Sequence, residues 1–257
     1  MLNVSKTIYN MISKNMSTAY IYSGGSIMKL INELHPNNNI NKMKYFVPTT
    51  EASAGFCSIG HNKSLNKCDS VVITTSGPGL SNTLTPLADA FYDGVPFLLI
   101  SGDVSTEVKG KHSFQDIDSI SMTKPITHWN YSLTNENKTK SVFAHAFELL
   151  KQNKQVHINL PKDILSKNII KDDNIKVNLH NNLQKSNYTI ESIRYIADII
   201  NNSSKPIMIV GRGAIEASKQ ISELAFKLNI PITTTLHGLG IFDEDHYLSL
   251  KWHGMHG

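Results

Sequence analysis

Short, wholly apolar runs alternate along this chain with segments of helical period, and that alternation limits the fold more than any other feature. Val71-Val72-Ile73 and Phe97-Leu98-Leu99-Ile100 have no polar face, so strands built from them must be covered on both sides. Such strands belong in a parallel sheet with helices on each face. The cover is at hand: Val4, Ile8, Met11 and Ile12 repeat at helical spacing, as do Ile27, Leu30, Ile31 and Leu34, a run that Pro36 brings to an end. The pattern predicts strands at 19–22, 45–47, 71–74, 97–101 and 156–159, with further helices at 51–58 and 81–92. Fold class is therefore expected to be α/β, a doubly wound parallel sheet followed by an incomplete second α/β domain. The first domain should span 1–166. A polar stretch rich in Lys, Asn and Asp at 167–188 reads as a linker. In a second domain, 189–257, helices are expected around Ile193, Ile196, Ala197 and Ile200 and at 217–228, with strands at 206–210 and 231–235. Two strands and two helices leave an apolar face of each layer uncovered, so this domain reads as truncated.

Composition removes several classes of function. Of the 257 residues 40% are apolar and 18% charged, as in a packed globular protein rather than a disordered one. The formal charge of +4 comes from lysines spread along the whole chain, with no run of five like charges, so no nucleic-acid partner is indicated. No stretch is apolar enough to cross a membrane and no secretory leader is visible, which points to the cytoplasm. Cys57 and Cys68 fit no CxxC motif, as expected for free thiols in a reducing compartment.

The chemistry gathers at turns. Tyr22-Ser23-Gly24-Gly25 follows the first strand, Thr50-Glu51 the second, Ser76-Gly77-Pro78-Gly79 the third and Gly102-Asp103 the fourth. All four face one edge of the sheet, beyond the carboxyl ends of the strands, where open parallel sheets bind ligands. Each signal alone is weak: a Gly-Pro-Gly turn is as often a plain tight turn, and a Glu opening a helix is usually no more than a favourable first-turn charge. Gly211-Arg212-Gly213 lacks the third glycine of a dinucleotide fingerprint, since position 216 is Glu. His237, His246, His253 and His256 include an HxxH pair, but no carboxylate or Cys completes a metal set, so none is expected.

Taken in order, these motifs resemble the pyrimidine-binding domain of thiamine-diphosphate enzymes. The run is a glycine turn (Tyr22 to Gly25), Glu51, Thr75-Ser76-Gly77-Pro78-Gly79 with Asn82, Leu87-Ala88-Asp89-Ala90 with Asp93 and Pro96, and Phe114-Gln115-Asp116; Thr123 to His128 and Leu160-Pro161-Lys162-Asp163-Ile164 look like later landmarks. Residues 205–211 and 230–235 are similar to the family's central domain. Leu236-His237-Gly238-Leu239-Gly240, Leu248-Ser249-Leu250 and the final Gly254-Met255-His256-Gly257 look most like acetolactate synthase large subunits.

The resemblance implies a carboligase that condenses pyruvate with a second 2-keto acid and releases CO2, in branched-chain amino acid biosynthesis. It assigns Glu51 and Gln115 to catalysis, with Glu51 bonded to the aminopyrimidine ring nitrogen so that the cofactor acts as its own base. Gly25, Glu51, Gly77, Pro78 and Asn82 are carried over as cofactor-binding, and Phe114 and Lys162 as walls of the substrate channel. The implied cofactors are thiamine diphosphate and Mg2+, the latter through ligands outside this chain; FAD is left open. The implied partner is a second copy, or another chain, that carries the diphosphate-binding domain, without which this chain is expected to be inactive. Thr50 stands where the family has His, Ser23 where it has Pro, and Gln152-Asn153-Lys154-Gln155 where it has Arg-Pro-Gly-Pro. Two other readings stay open: a non-catalytic remnant acting as an interaction module, and a related 2-keto acid decarboxylase.

Overall fold

A computed structural model describes residues 3–35, 43–174, 188–254 and 257; the helix end expected at Pro36 and most of the expected linker lie outside them. The chain divides into two compact units, one ending at Asn178 and the other beginning at Leu179.

In the first unit α1 (Val4–Asn15) starts at Asn3, whose side-chain oxygen accepts the Lys6 N–H at 2.8 Å and so satisfies one of the free donors of the first turn. β1 (Thr18–Ile21), α2 (Met28–Ile31), β2 (Lys44–Phe46), α3 (Glu51–Leu65) and β3 (Ser70–Thr74) follow. Next come α4 (Pro78–Ser81), α5 (Leu84–Tyr92), β4 (Phe97–Asp103), α6 (Ser119–Thr123), β5 (Trp129–Ser132), α7 (Thr139–Leu150) and β6 (Gln155–Pro161). The six strands are all parallel, in the order β2-β1-β3-β4-β6-β5. From β1 the chain moves outward to β2 and then returns to the other side of β1 to lay down β3. The sheet therefore reverses its winding between β1 and β3, and a crevice opens at their carboxyl ends.

Period two along the buried strands divides the core. Val71, Ile73, Leu98, Ile100, Val156 and Ile158 pack with Ile8 and Ile12 of α1 and Phe143 and Ala146 of α7. Val72, Phe97 and Leu99 face the opposite layer, Ala54 and Ile59 of α3 and Leu87 and Ala90 of α5. Each such leucine, isoleucine or phenylalanine withdrawn from water contributes about 1.5–3 kcal/mol. Both faces are covered, as the apolar runs require.

Several elements differ from the sequence reading. α3 continues well past the expected end at 58, until Asn66 closes it in the left-handed region at φ 49°. The single helix expected at 81–92 is two, α4 and α5. They part at Thr83, whose Oγ donates to the Leu80 carbonyl at 2.6 Å. β6 is last in chain order within this unit but not the sheet edge, because β5, absent from the expected set, lies outside it.

The second unit contains α8 (Ile190–Asn201), β7 (Met208–Val210), α9 (Ser218–Leu228), β8 (Ile232–Thr234) and β9 (Ser249–Trp252). Its sheet has three parallel strands, β7-β8-β9, one more than the sequence suggested. The core is small: Val210, Ala225, Ile232, Ile241, Phe242 and Leu248. Among the described residues no helix is long and apolar enough to cross a membrane.

Candidate functional site

Beyond the carboxyl ends of β1, β3, β4 and β6 lies a cleft of about 630 Å3, lined by residues of the glycine turn, Glu51, Thr75, Ser76, Pro78, Asp103, Val108, Phe114, Gln115 and Lys162 among others. Of the site residues expected from sequence, Gly25, Glu51, Pro78, Phe114, Gln115 and Lys162 reach its wall. Gly77 and Asn82 do not line it but touch residues that do, Gly77 packing against Gln115 and Asn82 bonding Glu51.

Glu51 is the first residue of α3 and only 7% exposed. Its carboxylate lies at the positive end of that helix, which favours negative charge there. Asn82, following α4, donates from Nδ2 to Oε2 of Glu51 at 3.2 Å. Thr50 caps the helix by accepting the Ser53 N–H at 3.0 Å, so it has a structural use here.

The Gly-Pro-Gly turn earns its glycine. Gly77 adopts φ 59° and ψ −113°, and a Cβ there would press within 2.8 Å of the Gln115 Cβ and 2.9 Å of its carbonyl oxygen. Glycine thus lets the Gln115 backbone close over the turn. Ser76 Oγ donates to Gln115 Oε1 at 3.2 Å, and Gln115 itself is held at φ 63°. The first and third turns are joined by Ser26, whose Oγ lies 3.0 Å from Thr75 Oγ1 and accepts the Ser76 N–H at 3.0 Å. At Gly25 an added Cβ would meet nothing within 4 Å, so close packing within this chain does not demand glycine there.

Sequence reasoning missed a charged cluster at one side of the cleft. Lys109 pairs with Asp103 at 2.8 Å and with Asp116 at 3.0 Å. Asp103 ends β4, and its carboxylate also accepts from Asn159 Nδ2 at 2.5 Å. Behind it Ser101 Oγ donates to Asn159 Oδ1 at 2.9 Å and lies 2.8 Å from His157 Nε2, whose Nδ1 is 2.9 Å from Thr123 Oγ1. Burial pushes the His157 pKa down to about 3, so the ring is neutral. The turn Gly102-Asp103 was visible in the sequence; nothing there marked Lys109 as its partner.

Among the described residues no group of three His, Cys, Asp or Glu is placed to hold a metal. His246 packs against Phe226, Phe242 and Tyr247, and His253 Nδ1 lies 3.2 Å from Thr233 Oγ1. His256 lies outside the described residues.

A doubly wound sheet with a buried carboxylate and a glycine turn at its switch point is an α/β domain with a crevice of the kind in which open parallel sheets bind ligands. Residues 2–122 match the family model described as thiamine pyrophosphate enzyme, N-terminal TPP binding domain, and residues 193–257 match that of the central domain. Relatives include the mitochondrial acetolactate synthase catalytic subunit of Saccharomyces cerevisiae, 32% identical over 96% of this chain and 37% of the relative. The acetolactate synthase large subunits of Lactococcus lactis and Porphyra purpurea are 32% and 34% identical, each over 92% of this chain and 41% of the relative. The chain belongs to the thiamine pyrophosphate enzymes. It spans about two fifths of the length of these relatives.

Proposed function

We propose that the cleft binds the aminopyrimidine half of thiamine diphosphate and that the chain supplies this half of an acetolactate synthase-like active site. The observation that carries the reading is Glu51, a buried carboxylate at a helix N-terminus, bonded to Asn82 and facing the same cleft as Pro78 and Gln115. A ring that needs one strong acceptor and apolar contact fits this lining, which sets Pro78, Val108 and Phe114 beside Glu51, while the second acid of the lining, Asp103, is taken up by Lys109 and Asn159. When bound, thiamine diphosphate supplies a nucleophilic carbon for attack on a 2-keto acid and an electron sink for loss of CO2.

The residues of this chain have narrower tasks. Glu51 would hold the aminopyrimidine as hydrogen-bond partner of its ring nitrogen. Asn82 keeps the Glu51 carboxylate oriented, Gln115 lines the wall where the keto acids react, and Phe114 and Lys162 bound the channel through which they enter. Pyruvate and a second 2-keto acid are the proposed substrates. Diphosphate and Mg2+ are assigned to a further segment, on a continuation of this polypeptide or on a partner chain, in a dimer-type assembly. In the segment that departs from the family pattern Gln155 is fully buried, with its amide given to the Ala90 and Val95 carbonyls at 3.0 and 2.6 Å, so it offers nothing to a flavin. A cytoplasmic setting belongs to the same proposal and agrees with two free cysteines.

The test is calorimetric titration of the chain with thiamine diphosphate, then assay of acetolactate formation from pyruvate after adding a diphosphate-binding domain. Glu51→Gln should retain most of the binding and lose about 10²–10⁴-fold in turnover. Absence of binding, or equal turnover by the Glu51→Gln variant, would overturn the reading.

A further inference from the structure

Phe114 and Gln115 reach the cleft on a loop between β4 and α6, and two features make that placement costly to hold. Phe114 is 87% exposed, so burial does not fix it. Gln115 sits at φ 63°, in the left-handed region that side chains other than glycine avoid. The cleft itself offers Gln115 one side-chain hydrogen bond, from Ser76. Something else must fasten the loop.

Lys109 makes the fastening. Its ammonium reaches Asp103 at the end of β4, Asp116 immediately after Gln115, and the Ile117 carbonyl at 2.7 Å, so one side chain ties the strand to both residues that follow the Gln. The Asp103 and Asp116 side chains are only 4% and 7% exposed, which shields the pairs on the carboxylate side, while the Lys109 side chain is 37% exposed. Asp116 also accepts the Gly110 N–H at 2.6 Å, closing the loop on itself. Burial works against the Lys109 charge, yet the bonds to Asp103 and Asp116 outweigh it and leave its pKa above the ordinary lysine value. Burial likewise pushes Asp116 up, and the Lys109 pair and Gly110 N–H more than reverse this. Asp103 is anchored in turn by Asn159, which Ser101 orients.

We propose that Lys109 is a positioning residue, the tether that holds Gln115 against the cleft through simultaneous ion pairs with Asp103 and Asp116. Its meaning for catalysis rests on the cofactor reading above; the tether itself does not. Native-state hydrogen exchange of the intact chain without ligand separates the two. Lys109→Met should speed exchange of the Gly110, Lys111 and Asp116 amides by about tenfold or more, the scale of losing charge-assisted bonds, while α7 amides keep their rates. Lys109→Arg, which can still span both carboxylates, should restore slow exchange. Asp116→Asn should loosen the same amides, and the double variant should loosen them by less than the two single effects combined, because both substitutions break the Lys109–Asp116 pair. Unchanged exchange in Lys109→Met, or additive effects in the double variant, would sink the tether. In parallel, thiamine diphosphate should bind Lys109→Met more weakly than the unsubstituted chain and Lys109→Arg about as well. Failure of the unsubstituted chain to bind it would count against the cofactor reading, and the exchange rates would still decide the tether.

Discussion

A histidine with no exposed surface is an acid-sensitive point in the first unit. His157 is wholly buried on β6 with its ring nitrogens beside the Ser101 and Thr123 hydroxyls, and burial lowers its pKa from 6.5 to about 3. In the unfolded chain the ring takes up a proton near its ordinary value, and in the folded chain it does so only near the lowered one. Stability from this group is therefore complete above about pH 6.5 and is lost as pH falls toward about 3, at up to about 1.4 kcal/mol per pH unit. Urea unfolding at a series of pH values should show His157→Gln less stable at pH 7 but with a flatter decline into acid. Parallel declines would show that His157 does not carry the dependence. Legibility at this scale followed chemistry that only a few residue types can perform. Glu51, the Gly77-Pro78 turn and Asn82 are singled out by their resemblance to a family's ordered motifs, each signal being weak alone, and the structure brings them to one sheet edge. Asp103 and Asp116 fall within readable motifs, but Lys109 and its pairing with them cannot be read, because a lysine in a polar loop looks the same in sequence whether it is solvated or pinned.

The close approach of α3 to α5 depends on one glycine. A Cβ at Gly55 would collide with the Pro86 ring of α5, and both helices pack on Leu99 and Phe97 of β4. Gly55→Ala gains helix propensity of about 1 kcal/mol but has to push the helices apart, so the net effect should be destabilising, by about 1–3 kcal/mol. Leu99→Ala, which opens a cavity in the same layer, should cost about 2–5 kcal/mol. Chemical denaturation of the two variants checks the order, and a stabilised Gly55→Ala would mean that the layers are looser than their contacts indicate. Strong period made the inner strands and α1 readable in advance, and tertiary context hid others. Trp129 to Ser132 of β5 are all half-buried at a sheet edge, so neither an apolar run nor alternation marks them. β9 is similar: its residues are half-buried or exposed, and its pairing with β8 is irregular between Ile232 and Thr234. α7 is different, since Val142, Phe143, Ala146, Phe147 and Leu150 repeat at helical spacing, a signal the sequence does carry.

At the scale of the whole chain, the two units differ in how completely their layers are closed. The first has a six-stranded sheet with apolar clusters on both faces and strands such as β4 and β6 buried along their full length. In the second, three short strands share one small cluster, no residue of α8 is buried, and Ile193, Ile196 and Ile209 are exposed. Stabilisation scales with the apolar area withdrawn from water, while the cost of ordering each residue is about the same in both units. The second unit should consequently open at far lower free energy than the first. Hydrogen exchange of the intact chain near neutral pH should leave β4 and β6 amides protected longest, with those of β7 and β8 exchanging at least about 100-fold faster, a gap of about 2.7 kcal/mol. The ordering also tests the packing argument from the opposite side: if β8 were as protected as β4, apolar area in these layers would not set local stability, and the exposed isoleucines of α8 would have to be covered in solution.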